Sequence, residues 1–223
     1  MTVVDPRVAK ALGTQLERWR GALEQGARRV GWKIGLNIPE VQARLGLEEP
    51  VIGHLTSATQ LEPGGSYGAG DAVALMAEPE VALELGRDVA PDAGPDEAAE
   101  AIAGYGAAIE LVDVGRPPAD LESIVAENVF HRAFLIGPTE PGAPDGAAVE
   151  VSVGGEQRAA SVVEEDFPAT VRLVARLLGS VGERLQAGDW IIAGSLTEQV
   201  PVADGDDLSV ELGPLGRVSV SVA

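Results

Sequence analysis

Three glutamates have the residue type and the setting of a metal site. Strand alternation in "AEPEVALEL" places Glu78 and Glu80 on one face, together with Glu84. Glu110 is the only charge within "GAAIELV", a short apolar run typical of a strand that is buried on both faces. An uncompensated buried carboxylate is costly, and a divalent cation shared with Glu78 and Glu80 would remove that cost. Such a ligand set suits Mg²⁺ or Mn²⁺; the alternative is a solvated acidic face, since the chain has 35 acidic residues.

Lys33, in "RRVGWKIGL", is the candidate for proton transfer. The chain has 16 cationic residues, of which only Lys10 and Lys33 are lysines. Arginine does not release its proton in a protein, whereas the pKa of a desolvated lysine shifts readily, so Lys33 is a candidate acid or base. The alternative is a lysine whose stem is buried at a strand end and whose ammonium group lies in water.

Composition excludes several classes of site and partner. The chain has no cysteine, which excludes disulfides, thiolate nucleophiles and cysteine-based metal sites. Its only histidines are His54 and His131, so a three-histidine metal site is excluded as well. The formal net charge of −19 argues against nucleic acid and against an anionic membrane surface as partners.

The start of the chain, "MTVVDPRVAKALG", has no basic stretch followed by a long apolar run, so we expect no secretory signal. No segment approaches about twenty uninterrupted apolar residues, so we expect no membrane span. These two features favour a cytoplasmic protein.

The helices and strands that must position these residues are short. Asp5 before Pro6, followed by apolar residues at helical spacing, predicts a helix over 5–24. Further helices are predicted over about 39–46, 95–105 and 167–182, and residues 119–130 are either helical or irregular. Strands are predicted in "PVIGHL", "AVALMAEPEVALELG", "AAIELVDVG", "AFLIGP", "VEVSVGGEQ", "DWIIAGSL" and "DLSVELGPLGRVSVSV".

This order of elements predicts the fold class. Several strands with glycine turns, few helices and no βαβ rhythm indicate an α+β fold with much antiparallel sheet. We expect a single domain over residues 1–223, with an N-terminal helical lobe at about 1–48 and a β-rich catalytic core at about 49–223.

The motifs stand in an order that resembles the fumarylacetoacetate hydrolase superfamily. The order is "GWKIGL", "EPEVALELGRDV", "AAIELVD", "AENVF" with "FLIG", and "GDWIIAGSL". It is most similar to the branch of the 2-keto-4-pentenoate hydratases and 4-oxalocrotonate decarboxylases. The resemblance covers the chain from about Arg28 to its C-terminus.

The resemblance implies roles for the residues that match. Glu78 and Glu80 correspond to the E-x-E metal ligands of the family, and Glu110 corresponds to its third ligand. Lys33 corresponds to the lysine of the hydratase motif G-[YW]-K-[IV]-G. The cofactor implied is Mg²⁺ or Mn²⁺.

The resemblance also implies a mixed β-roll with a barrel-like sheet, and homo-oligomers built from dimers. Gly194 and Ser195 fall where the family has a turn that lines the substrate site. The partner implied is a small 2-oxo acid. Association with a related subunit is a further implication, because related hydratases and decarboxylases associate.

The chemistry implied is that of a metal-dependent lyase. The substrate chelates the metal through its C1 carboxylate and C2 oxygen, and the metal stabilises the enolate. The preferred reaction is hydration of a 2-hydroxy-2,4-dienoate, with Lys33 carrying the proton. The alternatives are a 4-oxalocrotonate-type decarboxylase, an acylpyruvate C–C hydrolase, and a non-catalytic partner subunit of such an enzyme.

Several positions depart from the pattern of the family. Ser57 and Ala58 stand where hydratases commonly have an acidic residue, and Glu84 replaces a residue that is usually apolar. Arg116 is shifted by one residue from the position of the usual arginine.

The segment "AENVFHRAF" departs as well, because it introduces His131 and Arg132. His131 is a candidate acid–base group, and Arg132 is a candidate for binding a second substrate carboxylate. The alternative for His131 is an imidazole at the surface or behind the ligands. His54 is more simply a structural histidine.

Overall fold

A computed structural model describes residues 4–115 and 120–223, in which it places five α-helices and twelve strands. The helices are α1 (Pro6–Glu24), α2 (Pro39–Leu45), α3 (Pro95–Ala101), α4 (Leu121–Ala126) and α5 (Phe167–Gly179). The strands are β1 (Arg29–Gly35), β2 (Val51–Thr56), β3 (Ser66–Tyr67), β4 (Leu75–Leu85), β5 (Ile102–Asp113), β6 (His131–Glu140), β7 (Ala148–Val153), β8 (Glu156–Val162), β9 (Trp190–Ile192), β10 (Val200–Pro201), β11 (Asp207–Leu212) and β12 (Arg217–Val222). Within these ranges no helix is both long enough and apolar enough to cross a membrane.

Two sheets carry the fold. The larger has seven strands in the order β2-β1-β9-β4-β5-β6, with β10 paired to β4. Of the described strand pairs within this larger sheet, only β1–β9 is parallel. The smaller has five strands in the order β3-β12-β11-β7-β8, in which β3 and β12 are parallel. The predicted α+β class with much antiparallel sheet is confirmed. Both sheets are open over the described residues, so the barrel-like closure is not seen there.

Helix α1 forms where the sequence predicts it and packs against β2 and α4. Asp5 caps the helix by accepting a hydrogen bond from the Arg7 backbone N–H at 2.8 Å, and Pro6 occupies the first turn. The Gln15 amide donates to the carbonyls of Ile52 at 3.2 Å and Val125 at 2.6 Å, and so ties α1 to β2 and α4. The buried face of α1 consists of Val8, Ala11, Leu12, Gln15, Leu16 and Trp19.

The predicted helix over 95–105 is too long. Helix α3 ends at Ala101, and the following residues are already in β5, which pairs with β4 along almost its whole length. A Cβ on Gly104 would lie 2.3 Å from Thr139 Cγ2, so the glycine lets β6 approach β5 closely. Sheet pairing therefore decides the structure of a segment whose alanines favour a helix.

The predicted N-terminal lobe at 1–48 is not purely helical. Strand β1 lies inside the larger sheet between β2 and β9, with Trp32, Lys33 and Ile34 buried. Residues 29–35 thus belong to the β-rich core, because their apolar run is buried on both faces of a central strand. The assignment of residues 1–223 to a single domain stays a prediction.

Gly31 lies where β1 leaves no room for a side chain against β9, and it gives a test of the packing. A Cβ at this position would lie 1.9 Å from the Trp190 carbonyl oxygen, which belongs to the neighbouring strand. Gly31→Ala should lower the free energy of unfolding by about 3 kcal/mol or more, because backbone atoms must move. Urea unfolding followed by circular dichroism measures this change.

Gly21→Ala is the matched control. Gly21 lies within α1 and a Cβ there would meet no atom within 4 Å. This substitution should stabilise the protein by up to about 1 kcal/mol, because alanine has the higher helix propensity. A Gly31→Ala variant as stable as the wild type would contradict the packing of β1 against β9.

Candidate metal centre and active site

The register of two central strands brings the three glutamates together. Glu78 of β4 is the direct partner of Glu110 of β5, and Glu80 lies two residues further along the same face of β4. One carboxylate oxygen from each residue lies within 4.8 Å of the others. Glu80 and Glu110 are fully buried, so the alternative of a solvated acidic face does not hold for them.

Each carboxylate is oriented by a neighbour, yet two oxygens are left without a partner. Gln199 Nε2 donates to Glu78 Oε1 at 2.8 Å, and the Gly194 backbone N–H donates to Glu80 Oε2 at 2.7 Å. Lys33 and His131 both contact Glu110 Oε1. Glu80 Oε1 and Glu110 Oε2 are buried and have no hydrogen-bond partner among the described residues. Such orphaned oxygens are expected where a cation binds.

The electrostatics of the cluster favour a cation. Burial raises the pKa of Glu80 well above its ordinary value, and repulsion from Glu110 and Glu78 adds to the effect. Burial and Glu110 likewise raise the pKa of Glu78. Burial alone would also raise the pKa of Glu110, but Lys33 and His131 outweigh it and the pKa is lowered.

The charge balance matches a divalent ion. When ionised, the three carboxylates carry three negative charges, and Lys33 is the one cationic side chain in an ion pair with them among the described residues, apart from His131 when it is protonated. Two negative charges remain, which Mg²⁺, Mn²⁺ or Ca²⁺ would neutralise through oxygen ligands. The residues present therefore fit a divalent metal ion.

Lys33 reaches this cluster from β1. Its Nζ lies 2.6 Å from Glu110 Oε1 and donates to the Val129 carbonyl oxygen at 3.0 Å, and the residue is only 1% exposed. A Cβ on Gly53 would lie 2.8 Å from Lys33 Cγ, so the glycine of the neighbouring strand leaves room for the lysine stem. The ammonium group does not lie in water, and the alternative of a lysine that extends to solvent is wrong.

A strained turn presents the Val129 carbonyl to Lys33. Asn128, Val129 and Phe130 have φ values of 64°, 52° and 64°, a left-handed conformation that is costly for a β-branched residue such as valine. The Asn128 side chain holds the turn, because its Oδ1 accepts from the His54 N–H at 2.7 Å and its Nδ2 donates to the His54 carbonyl at 3.0 Å. The strain is concentrated where the lysine is positioned.

His131 lies behind Glu110 and not at the surface. Its Nδ1 is 2.7 Å from Glu110 Oε1 and its Nε2 is 2.9 Å from Thr59 Oγ1, and its side chain is 3% exposed. An ionised carboxylate only accepts hydrogen bonds, so in the neutral imidazole Nδ1–H donates to Glu110 and Nε2 accepts from Thr59. Both ring nitrogens are thus engaged by the protein.

The structure does not bring Arg132 to this cluster. Its guanidinium donates to Asp113 Oδ2 at 2.8 Å, and Asp71 lies 3.6 Å away. The pKa of Asp113 is held far below its usual range, first by the N–H of Ala74 and then by Arg132 and other backbone donors. Arg132 is the extra residue where the β5–β6 register shifts between Leu111 and Val112, and its guanidinium is engaged by Asp113 and not by the three glutamates.

Of the other residues that the sequence singles out, Gly194 contacts the glutamates, whereas the hydroxyl groups of Ser195 and Ser57 bond elsewhere. Gly194 contacts the site through its N–H on Glu80, whereas Ser195 donates its hydroxyl to the Thr197 carbonyl at 2.9 Å. Ser57 Oγ accepts from the Arg28 N–H at 2.9 Å. Burial, with repulsion from His131 and Lys33, lowers the pKa of His54 to about 3, which agrees with a neutral, structural histidine. Arg116 lies outside the described residues.

A cavity of about 290 Å³ adjoins the cluster. Lys33, Glu78 and Gln199 supply polar groups to its lining, and Ile34, Val112 and Val129 supply apolar ones. Its size suits a small molecule. A ligand in this cavity would meet the lysine and the carboxylate that line it.

Residues 37–223 match the family model described as fumarylacetoacetate (FAA) hydrolase C-terminal, which is most of the chain. The chain belongs to the fumarylacetoacetate hydrolase family. The resemblance seen in the motifs is confirmed, and within this family two relatives and one solved structure are informative.

The family member 2-keto-4-pentenoate hydratase 1 of Dechloromonas aromatica is 31% identical over 215 residues, which cover 92% of this chain and 81% of that protein. A 4-oxalocrotonate decarboxylase of a Pseudomonas species is 29% identical over 207 residues, which cover 89% of this chain and 80% of that protein. The structure of 4-oxalocrotonate decarboxylase from Pseudomonas putida G7, complexed with magnesium and adipate, superposes with a TM-score of 0.88 at 26% identity, and covers 97% of this chain and 86% of that one.

Three contacts in the site of the present chain could not be predicted from the neighbouring sequence. Gln199 donates to Glu78, Thr59 contacts His131, and Asn128 accepts from the His54 N–H. In each contact the two residues lie far apart in the chain. Asn128 carries a weak signal, because asparagine tolerates the left-handed conformation better than other residues with a Cβ. Gln199 and Thr59 carry none.

Glu80→Gln tests the metal centre. Glutamine keeps the size of the side chain and can still accept from the Gly194 N–H, but it removes a negative charge and weakens an oxygen ligand. Titration of metal-free protein with Mn²⁺ by calorimetry should show at least about a hundredfold loss of affinity, since even residues behind the ligands affect metal affinity by 10–100-fold.

Glu84→Gln is the control for this prediction. Glu84 is on the same face of β4 but is not one of the three clustered glutamates. Its substitution should change the Mn²⁺ affinity by less than about threefold, because a charge outside the ligand set acts only through screened Coulomb forces. Equal affinities of Glu80→Gln and the wild type would show that the three glutamates are not the metal site.

Proposed function

We propose that this chain is a divalent-metal-dependent hydro-lyase that hydrates a 2-hydroxy-2,4-dienoate, as a 2-keto-4-pentenoate hydratase does. The observation that carries the proposal is the buried ammonium group of Lys33, which lies 2.6 Å from Glu110 at the edge of a small cavity. Relatives named as hydratases, at 30–31% identity, support it.

Glu78, Glu80 and Glu110 are the residues that would hold Mg²⁺ or Mn²⁺. When bound, the ion supplies Lewis acidity toward the C1 carboxylate and the C2 oxygen of the substrate. Gln199 and the Gly194 N–H fix the orientation of two of the ligands by their hydrogen bonds.

Lys33 is proposed to move the protons. The dienol substrate loses its 2-hydroxyl proton and gains one at C5, which gives a 2-oxo-3-enoate. Water then adds its oxygen at C4 and a proton at C3, so the atoms balance over the two steps. Lys33 lines the cavity, and the Val129 carbonyl and Glu110 Oε1 hold its Nζ in one orientation.

His131 is proposed as a positioning residue for Glu110. Both of its nitrogens contact protein groups and its side chain is almost fully buried, so it has no ring nitrogen free for substrate. Together with Thr59 it fixes Glu110 Oε1 and leaves Oε2 for a metal ion. An acid–base role for His131 would require one of these two hydrogen bonds to break.

Decarboxylation of a 4-oxalocrotonate-type substrate is the second candidate. It is favoured by the superposition on a 4-oxalocrotonate decarboxylase complexed with magnesium and adipate. The same three glutamates and Lys33 would serve this reaction, because loss of carbon dioxide also leaves an enolate that must be protonated. Acylpyruvate C–C hydrolysis is a further alternative with the same ligand set.

Cellular context is proposed from family membership alone. We propose a cytoplasmic enzyme of aromatic catabolism that forms homo-oligomers built from dimers, with association with a related subunit as an alternative.

Lys33→Met tests the proposed proton transfer. The variant keeps an apolar stem of similar length and removes the ammonium group. Turnover of 2-hydroxypenta-2,4-dienoate, followed by loss of its ultraviolet absorbance in the presence of Mn²⁺, should fall at least about a hundredfold, the usual effect of removing an acid–base group. The affinity for Mn²⁺ should remain within about tenfold, because the ammonium group is not a ligand, and loss of its hydrogen bond to Glu110 is offset by loss of a positive charge that repels the ion.

Lys10→Met is the control, because Lys10 is the other lysine of the chain and is exposed on α1. It should turn over the dienoate at the wild-type rate. Wild-type turnover by Lys33→Met would contradict the role of the lysine. A wild-type protein that hydrates no dienoate and decarboxylates no oxalocrotonate-like acid would favour a non-catalytic subunit.

A further inference from the structure

Two cationic side chains, Lys33 and Arg44, are found among the described residues that line the cavity. Lys33 is ion-paired with Glu110, whereas Arg44 forms no ion pair with any described residue. Arg44 lines the cavity and is also exposed to solvent. It is therefore available to a ligand.

The local structure does not explain Arg44. It occupies the last turn of α2, and Glu40 stands four residues earlier, at the spacing of a helical ion pair. No such pair forms, although both residues are described. Gly46 caps the helix through its own N–H, so the arginine is not needed as the cap.

Apart from Asn37, whose side-chain amide donates to the Ser195 carbonyl at 3.4 Å, the described side chains of the lining near α2 are apolar. Ile34, Leu36, Ile38 and Val41 line the cavity together with Arg44. An apolar wall suits the carbon chain of a linear acid, and an arginine at its margin suits a second carboxylate, because the planar guanidinium binds carboxylates through two parallel hydrogen bonds. Arg132, which the sequence favours for this task, is bonded to Asp113 and is not part of the described lining.

We propose that Arg44 binds the distal carboxylate of a linear, dicarboxylic 2-oxo acid whose other end is held at the metal centre. The proposal rests on the proposed function, since it requires a 2-oxo acid at the three glutamates. It adds the substrate class: the preferred substrate carries a second carboxylate several carbons from the first, and Arg44 selects it over a monocarboxylic acid of equal length.

Binding of three probes to Mn²⁺-loaded protein tests this by calorimetry. Oxalate reports the metal centre alone. 2-Oxoadipate and 2-oxohexanoate have the same chain length and the same 2-oxo acid group, and only 2-oxoadipate has the distal carboxylate. The wild type should bind 2-oxoadipate about tenfold more tightly than 2-oxohexanoate, as expected for one charge-assisted contact at a partly exposed arginine.

Arg44→Gln should reduce this affinity ratio to near one. Arg217→Gln is the control, because it removes the same charge from an exposed position on β12 of the smaller sheet and should keep the ratio of about ten. A ratio near one in the wild type, or a ratio that survives in Arg44→Gln, would overturn the proposal.

The oxalate titration distinguishes a wrong role for Arg44 from a wrong proposed function. Tight oxalate binding with no discrimination between the two oxo acids would overturn the role of Arg44 and leave the metal centre in place. Absence of oxalate binding to Mn²⁺-loaded wild type would overturn the proposed function, and the role of Arg44 with it.

Discussion

The burial of three carboxylates at one point of a β-sheet is the constraint on which the rest of the site depends. Glu78, Glu80 and Glu110 repel one another, and burial raises the free energy of each ionised form. Lys33 compensates one of the charges, and two buried oxygens remain without a hydrogen bond. A divalent cation would neutralise the two remaining negative charges. Without a cation, burial of the three ionised carboxylates would cost free energy that nothing else in the cluster offsets.

The surrounding fold keeps the lysine close to this cluster. Gly53 leaves room for its stem, Gly35 allows Val129 to approach, and the left-handed turn presents a carbonyl oxygen to its ammonium group. Asn128 holds that turn through two hydrogen bonds to His54. Strain in the backbone is thus retained where it holds the Lys33 ammonium group, and strained residues are common at functional sites.

The core of the site could be predicted from the sequence because its signals are local. Alternation pairs Glu78 with Glu80, an isolated charge marks Glu110, and rarity marks Lys33. Contacts across the fold had no such signal: Gln199 lies 121 residues from Glu78 and Thr59 lies 72 residues from His131. The sequence does not show that α3 ends at Ala101, because pairing of the next residues with β4 outweighs the helix propensity of alanine.

The prediction for Arg132 shows a limit of another kind. Its place beside His131 in the sequence suggests a shared site, yet Arg132 is the extra residue at a register shift between β5 and β6 and is bonded to Asp113. Arg44, on a short helix that precedes β2, lines the cavity although nothing in its neighbourhood marks it. The position of a single exposed arginine depends on how helices pack on the sheet, and the sequence pattern does not report that packing.

The most direct test of the central claim is an anomalous-scattering map from a crystal of this protein grown with Mn²⁺ and oxalate. The account predicts a Mn²⁺ peak coordinated by Glu78, Glu80 and Glu110, with oxalate completing the coordination and Lys33 Nζ beside it. A map in which Mn²⁺ binds elsewhere, or in which the three glutamates remain uncoordinated at saturating Mn²⁺, would contradict it.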